Sequence, residues 1–335
     1  MRKVVLFLAL ICFISLGGCG TGHSLVKRSQ MLMGTLVFVT ATAPDEPTAQ
    51  EAAAAGLAEI RRLEELLSTW IPTSELSRVN EAAGLAPVQV SPETFSLLKR
   101  AIEIGELTDG GFNVTIGPAV EAWGFPEIPH LPGEADLERI RPLLDLSQIE
   151  LDAEQRTVFL SQRGMRVDVG GIGKGFAADL AAEVMQAAGA TGGVVALSGD
   201  IKTFGRMPDG TPFVFGIQHP RQEGRLMGTL TLENGAVSTA GDYQKFFIQN
   251  GVRYHHILDP DTLQPARDCQ SVTVVAREGV LADGLDTGIF VMGPERGLDL
   301  IERLPGVEGV IVDHQGKIYV SSGLKERLRL EAAGY

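Results

Sequence analysis

Between Asp168 and Asp179 the chain reads Asp-Val-Gly-Gly-Ile-Gly-Lys-Gly-Phe-Ala-Ala-Asp, with four glycines, one lysine and two aspartates in twelve residues. A strand-like run, Met165 to Val169, precedes it, and a helix-like run, Phe176 to Ala188, follows it. A glycine turn that opens a helix is an anion cradle, because free N–H groups and the positive helix end face the ligand. A P-loop needs Ser or Thr after its lysine, and here Gly175 follows Lys174. The G-x-G-x-x-G/A dinucleotide pattern fits loosely at Gly173 to Ala178. Its acidic partner should come about 20 residues on, and Asp200 is later than that. On this segment alone, a turn that only packs a helix against a sheet is the simpler reading.

A second segment is Ala282-Asp283-Gly284-Leu285-Asp286-Thr287-Gly288. Residues three and four apart share a helix face, so Asp283, Asp286 and Thr287 would lie together. Two carboxylates and a hydroxyl suit Mg²⁺, a hard ion that takes oxygen ligands. Acidic pairs at this spacing also occur on plain solvated helices. In Tyr254-His255-His256-Ile257-Leu258-Asp259-Pro260, strand alternation sends the two histidines to opposite faces. At most one then faces a site, as a phosphate partner or proton carrier; the plainer reading is one solvated and one core histidine. Ser198-Gly199-Asp200 and Ser238-Thr239-Ala240-Gly241-Asp242-Tyr243 are small polar stretches at strand ends, which line pockets or simply turn. No Ser-His-Asp order or zinc spacing stands out.

The elements that would hold these residues alternate in type. Strands are expected at Leu32 to Ala41, Gln148 to Leu160, Val194 to Leu197, Phe213 to Ile217, Gly228 to Glu233, Ala236 to Ser238, Lys245 to Ile248, His256 to Leu258, Ser271 to Ala276, Val307 to Val312 and Lys317 to Val320. Helices are expected from Glu51 to Leu67, from Ser91-Pro92 to about Leu107, from Leu137 to Leu143, from Leu281 to Val291 and from Pro294 to Arg303. The mixture reads as α/β or α+β, mixed sheets flanked by helices. The elements allow two related lobes, but no linker marks a boundary, so the expectation is one domain.

The N-terminus reads Met-Arg-Lys, an apolar run from Val4 to Leu16, then Gly17-Gly18-Cys19. This is the plan of an export signal, too short to span a bilayer permanently. Leu16-Gly17-Gly18-Cys19 looks like a bacterial lipobox, with Cys19 the lipidated residue. The expectation is a signal at 1–18, a polar tether at 19–30 and the folded domain at 31–330, anchored in a bacterial membrane and facing the periplasm. Beyond Cys12 and Cys19 only Cys269 remains, so no internal disulfide is expected. A net charge of −13 argues against nucleic acid as a partner. It also means that a polyanionic substrate needs local help from N–H groups, a lysine or a metal ion.

Seven segments in this order resemble the ApbE family, the FAD:protein FMN transferases: Met33-Gly34-Thr35, Leu67-Ser68-Thr69-Trp70, Gly111 to Pro118, Trp123-Gly124-Phe125, Asp168 to Asp179, His256 to Pro260 and Ala282 to Gly288. The resemblance implies FAD contacts at Met33, Trp70, Gly111, Phe112, Asn113, Asp168, Lys174 and Leu258. It implies Mg²⁺ held by the Gly171 carbonyl with Asp283, Asp286 and Thr287. Trp70 stands where the family usually has a tyrosine over the isoalloxazine, Asn113 where many members have aspartate, and Gly170-Gly171 where some have Ser-Thr. The implied reaction moves FMN from FAD to a Ser or Thr hydroxyl of a partner protein and releases AMP, with His256 or Asp286 as base. The implied acceptors are flavoprotein subunits of membrane redox complexes, at a Ser/Thr-Gly-Ala-Thr/Ser site. Mg²⁺-dependent FAD hydrolysis and non-catalytic FAD binding by a periplasmic lipoprotein are the alternatives.

Overall fold

The computed structural model describes residues 23–125, 127–325 and 327–331. The expected signal and Cys19 lie outside them. The first hairpin is β1 (Ser24–Leu32) and β2 (Thr35–Ala43), followed by helix α1 (Glu46–Leu67). An insertion then carries α2 (Glu75–Glu81), β3 (Val88–Gln89), α3 (Pro92–Leu107), α4 (Gly117–Ala122), α5 (Glu134–Ile140), β4 (Ile149–Asp152) and β5 (Thr157–Leu160). Helix α6 (Gly173–Ala187) leads to β6 (Gly192–Leu197) and β7 (Asp200–Phe204). Next come β8 (Phe213–Gln218), β9 (Leu226–Leu232), β10 (Gly235–Gly241), β11 (Phe246–Gln249), β12 (Val252–His255) and β13 (Cys269–Ala276). The chain closes with α7 (Gly279–Met292), α8 (Pro294–Arg303), β14 (Glu308–Asp313), β15 (Ile318–Val320) and β16 (Leu328–Leu330).

The main sheet has eight strands in the order β1-β2-β6-β7-β10-β13-β14-β15. Every neighbouring pair is antiparallel. Chain order and sheet order agree, so the sheet is a meander interrupted by insertions. That is an α+β plan, since antiparallel neighbours need no crossover helix. β13 is buried along its whole length. Its alternation sends Val272 and Val274 into the core shared with α1, α6 and α7, and Val275 into a second core under the β16-β9-β8 sheet. Both faces of this strand are therefore covered, which is why even its polar residues Gln270, Ser271 and Thr273 are buried.

Local sequence accounts for most boundaries. Asp45 caps α1 by accepting from Thr48 N at 2.8 Å, with proline in the first turn. This starts the helix ahead of the expected Glu51, because Asp and Pro at its entry outweigh the lack of apolar residues there. Ser91 caps α3 through Thr94 N, as expected. Cys269 is a buried free thiol, and burial pushes it up to about 12, so it has no reactive thiolate at neutral pH.

Several expectations are corrected. From Ser24 the polar tether is strand β1, paired with β2 along its whole length. It is an edge strand with polar residues exposed on both faces, Lys27 and Ser29 on one and Arg28 on the other, which hid its alternation. Gln148 to Leu160 is a hairpin of two strands, with Arg156 at φ 51° in the turn. Met165 to Val169 joins no sheet ladder. Instead the Asn80 side chain takes a strand's place: its Oδ1 accepts from Val167 N at 2.7 Å and its Nδ2 donates to Val167 O at 3.0 Å. His256 to Leu258 lies past the end of β12 and makes only one isolated bridge, Leu258 with Pro265.

Helices α6 and α7 cross at two glycines. A Cβ at Gly175 would stand 2.2 Å from Gly279 O and 2.7 Å from the Asp283 Cβ, and one at Gly279 would stand 2.5 Å from Gly175 O. Neither neighbour is the flexible end of a side chain, so the backbones must part. Gly175→Ala should therefore cost about 1–3 kcal/mol of stability, the usual range for overpacking. Urea denaturation checks this; a variant as stable as the parent would show that the crossing has slack.

Candidate functional site

The site is built at one end of the main sheet. Met33-Gly34 is a two-residue hairpin turn between paired Leu32 and Thr35, with φ 50° and 69°, the geometry of a type I′ turn. Val37 pairs with Leu197, which brings this turn beside Ser198-Gly199, the turn between paired Leu197 and Asp200. Val237 pairs with Ile201, so Ser238 falls opposite Asp200. Register alone sets a buried carboxylate and a buried hydroxyl side by side.

The helices bring the remaining groups. Asp179, on α6, caps α7 from outside its own sequence, accepting from Gly279 N at 2.8 Å and Val280 N at 2.9 Å. The crossing at Gly175 then places Asp283 against the start of α6, where its Oδ2 accepts from Gly175 N at 2.8 Å. This corrects the reading of the glycine turn as an open phosphate cradle. The anion at this helix N-terminus is Asp283 itself, supported by the positive end of the helix.

Asp200, Asp283 and Asp286 are each buried, and one oxygen from each lies within 4.8 Å of the others. Lys174 pairs with Asp200. The Ser238 hydroxyl bonds both Asp200 Oδ1 and, at 2.7 Å, Asp286 Oδ2. Thr287 Oγ1 donates to Asp286 Oδ1 at 3.1 Å. Three carboxylates around one ammonium leave two uncompensated negative charges in the interior. Burial and the nearby Asp200 push Asp283 up to about 7, and burial with Asp283 and Asp200 raises Asp286 well above a normal carboxyl. Burial alone would lower Lys174, but Asp200, Asp283 and Asp286 more than offset it, so its pKa is raised. One hydroxyl proton cannot serve both Asp200 and Asp286, so a carboxyl proton is held there as well.

The donor set fits a hard divalent cation. All candidate ligands are oxygens, and the cluster carries excess negative charge for a cation to neutralise. A Cβ at Gly171 would lie 3.1 Å from Thr287 Oγ1 and 3.5 Å from the Phe112 ring, so the structure brings Gly171, Thr287 and Phe112 together. Gly111 packs on α7, where its Cβ would meet Gly288 O at 2.8 Å. The Met33 side chain reaches Gly173, and Met33 N donates to Glu64 Oε1 at 2.6 Å.

Other expected residues sit differently. Asn113 caps a short turn: its Oδ1 accepts from Thr115 N at 2.8 Å and Thr115 Oγ1 at 2.6 Å, while its Nδ2 donates to Leu144 O. Leu258 is a core side chain packed with Trp123 and Leu263, so only its backbone is open to a ligand. Trp70 is 65% exposed, on a cleft of about 530 Å³ that is also lined by Thr69, Ile128, Arg166 and Asp168. Asp168 belongs to both cleft and turn: its Oδ1 accepts from Gly170 N at 2.7 Å, and burial raises its pKa.

The two histidines part as strand alternation requires. His255 is the core one, with Nε2 bonded to Ala266 O at 2.7 Å. His256 packs edge-on to Phe125, and its Nδ1 lies 3.3 Å from Lys245 O. A carbonyl only accepts, so that nitrogen carries the proton and Nε2 keeps a lone pair. Burial, with Lys245 adding to it, pushes His256 down to about 3, so the ring stays neutral. Sequence reasoning met Asp200 and Ser238 only as turn and strand-end residues, named Asp179 without its capping role, and missed Gly279. The usable signal for Asp200 was an acid placed directly after a tight turn.

The ApbE family model matches residues 33–311. The chain is 33% identical to the FAD:protein FMN transferase of Vibrio cholerae, over 95% of this chain and 97% of that protein. It is 32% identical to the FAD:protein FMN transferase of Treponema pallidum, over 96% and 94%. Among solved structures, the ApbE protein of Thermotoga maritima superposes with a TM-score of 0.86 at 31% identity, covering 91% of this chain and all of that one.

The raised carboxyls link stability to pH. Unfolded carboxyls titrate near pH 4, whereas the folded, metal-free site holds a proton up to about pH 7. The stabilisation from that proton is full below the unfolded value and is lost as pH rises through the folded one. In chelator, stability should fall by about 1–2 kcal/mol between pH 6 and 8, and Asp283→Asn should flatten the decline. Thermal melts across this range check it; a flat profile for the parent chain would contradict the coupled carboxyl site.

Proposed function

The chain belongs to the ApbE family, and from that premise we propose that it transfers the FMN moiety of FAD to a Ser or Thr hydroxyl of a partner flavoprotein and releases AMP. The observation that carries this reading is the buried cluster of Asp200, Asp283 and Asp286 around Lys174. Simple flavin binding needs no such charge, while phosphoryl transfer does. Asp283, Asp286, Thr287 and the Gly171 carbonyl are the residues that would hold Mg²⁺. When bound, that ion supplies Lewis-acid neutralisation of phosphate charge.

The chain's own residues divide the remaining work. Trp70 stands exposed on the cleft, suited to cover a flat ring system. Lys174, kept charged by its carboxylate neighbours, offsets phosphate charge in a protein of net charge −13. His256 takes the hydroxyl proton at Nε2, its other nitrogen being held by Lys245 O. Its neutral ring has the lone pair available, and an anionic diphosphate nearby would raise its basicity. The acceptor oxygen bonds to the FMN phosphorus, the bond from that phosphorus to the bridging oxygen breaks, and AMP departs with the electron pair. Asp286 is the weaker choice as base, since both its oxygens are already engaged.

The acceptor would be a subunit of a membrane redox complex carrying Ser/Thr-Gly-Ala-Thr/Ser. The lipobox-like Leu16-Gly17-Gly18-Cys19 supports export and anchoring through Cys19, which would put the domain in the periplasm with such acceptors.

Incubation with FAD, Mg²⁺ and an acceptor domain, followed by mass spectrometry of the acceptor, tests the transfer. One FMN should be gained per acceptor. Asp283→Ala should slow the gain on the order of 10³-fold, the scale of several kcal/mol of lost charge stabilisation. AMP release without labelling would indicate FAD hydrolysis, and tight FAD binding with neither product would rule out both enzymatic readings. His256→Gln should slow transfer about 10²–10⁴-fold while FAD still binds; an unchanged rate would remove His256 from the base role.

A further inference from the structure

Asp200 is one of the three clustered carboxylates, and it is the one paired with the Lys174 ammonium. Its other oxygen accepts from the Ser238 hydroxyl. Asp286, by contrast, is engaged only by hydroxyls, which a cation can share or displace more readily than an ammonium. Asp200 is also the one mounted on the main sheet, directly after the tight Ser198-Gly199 turn and in ladder register with Leu197. Ser238 sits on the neighbouring strand β10, buried, with its hydroxyl between Asp200 and Asp286. Asp286 is therefore fixed from two sides, by Ser238 at Oδ2 and by Thr287 at Oδ1.

We propose that Asp200 and Ser238 are positioning residues for the cation site: the sheet holds Asp200, Asp200 holds Lys174 and Ser238, and Ser238 orients the Asp286 carboxylate toward the ion. This rests on the divalent-cation reading given above. Asp200 is then a partner outside the ligand set, and the main sheet dictates the ligand geometry on a helix that it does not contain. Lys174 is kept at the mouth of the turn by the same carboxylate, so one aspartate sets the spacing between the ammonium and the ion. Partners of this kind typically contribute 10–100-fold to metal affinity.

Calorimetric titration of the full chain with Mg²⁺, without FAD, reads this directly. Ser238→Ala and Asp200→Asn should each weaken Mg²⁺ binding about 10–100-fold. Ser238→Thr, which keeps the hydroxyl, should restore most of the affinity. Circular dichroism and melting in chelator confirm that each variant is folded, and Asp200→Asn carries the test if Ser238→Ala does not fold. A purely structural role would lower the melting temperature and leave the Mg²⁺ affinity of the folded protein unchanged. Folded variants that bind Mg²⁺ within about twofold of the parent, well inside the range expected for such partners, would overturn the proposal alone. A parent chain that takes up no Mg²⁺ would overturn the cation reading and this proposal with it.

Discussion

Three carboxylates held together in the interior against one ammonium are the constraint on which the rest of the structure turns. Each buried ion loses several kcal/mol of hydration, and like charges at this distance repel in a medium far less polar than water. A chain does not arrive at such a cluster without supports, and here each support has a visible source. Asp283 has the N-terminus of α6, Asp286 has two hydroxyls, and Asp200 has Lys174 and Ser238. The remaining negative charge suits a divalent cation with oxygen ligands.

The fold reads as a device for reaching this arrangement. A meander of antiparallel strands brings two tight turns and a buried strand pair to one end of the sheet. Two helices that cross at glycines bring the other two carboxylates to the same place. The long insertion between β2 and β6 contributes the cleft lined by Ile128, Arg166 and Asp168 and bordered by Trp70. The cleft and the carboxylate cluster therefore come from different stretches, and the glycine turn from Asp168 to Gly175 joins them. A bulkier residue at Gly171 or Gly175 would press on Thr287 or on Gly279, so both positions are constrained by shape.

Much of this was legible in the sequence where local physics decides. The cap at Ser91, the helical runs of α1 and α3, and the spacing of Asp283, Asp286 and Thr287 all declare themselves over short range, while the Asp45 cap of α1 was passed over. The glycine turn was recognised but its ligand was misjudged, because the occupying carboxylate comes from more than a hundred residues away. β1 was missed because an edge strand with polar residues exposed on both faces lacks the alternation of a half-buried one. Met165 to Val169 looked like a strand because its residues favour extension, yet Asn80 supplies the hydrogen bonds that a neighbouring strand would have made. Asp200 shows locally only as an acid after a tight turn and Ser238 not at all; sheet register alone makes them neighbours. The caps and faces were local facts, while the cluster is a tertiary one.

The central claim is that the clustered carboxylates form a cation site whose protons are displaced by the ion. Metal binding to protonated ligands must release those protons. Calorimetric titration of the metal-free protein with Mg²⁺ at pH 7, repeated in buffers of different ionisation enthalpy, counts them. The account predicts release of about one proton per Mg²⁺, vanishing toward pH 9, where the carboxyls are already ionised. Binding with no proton release at pH 7, or no binding at all, would contradict it.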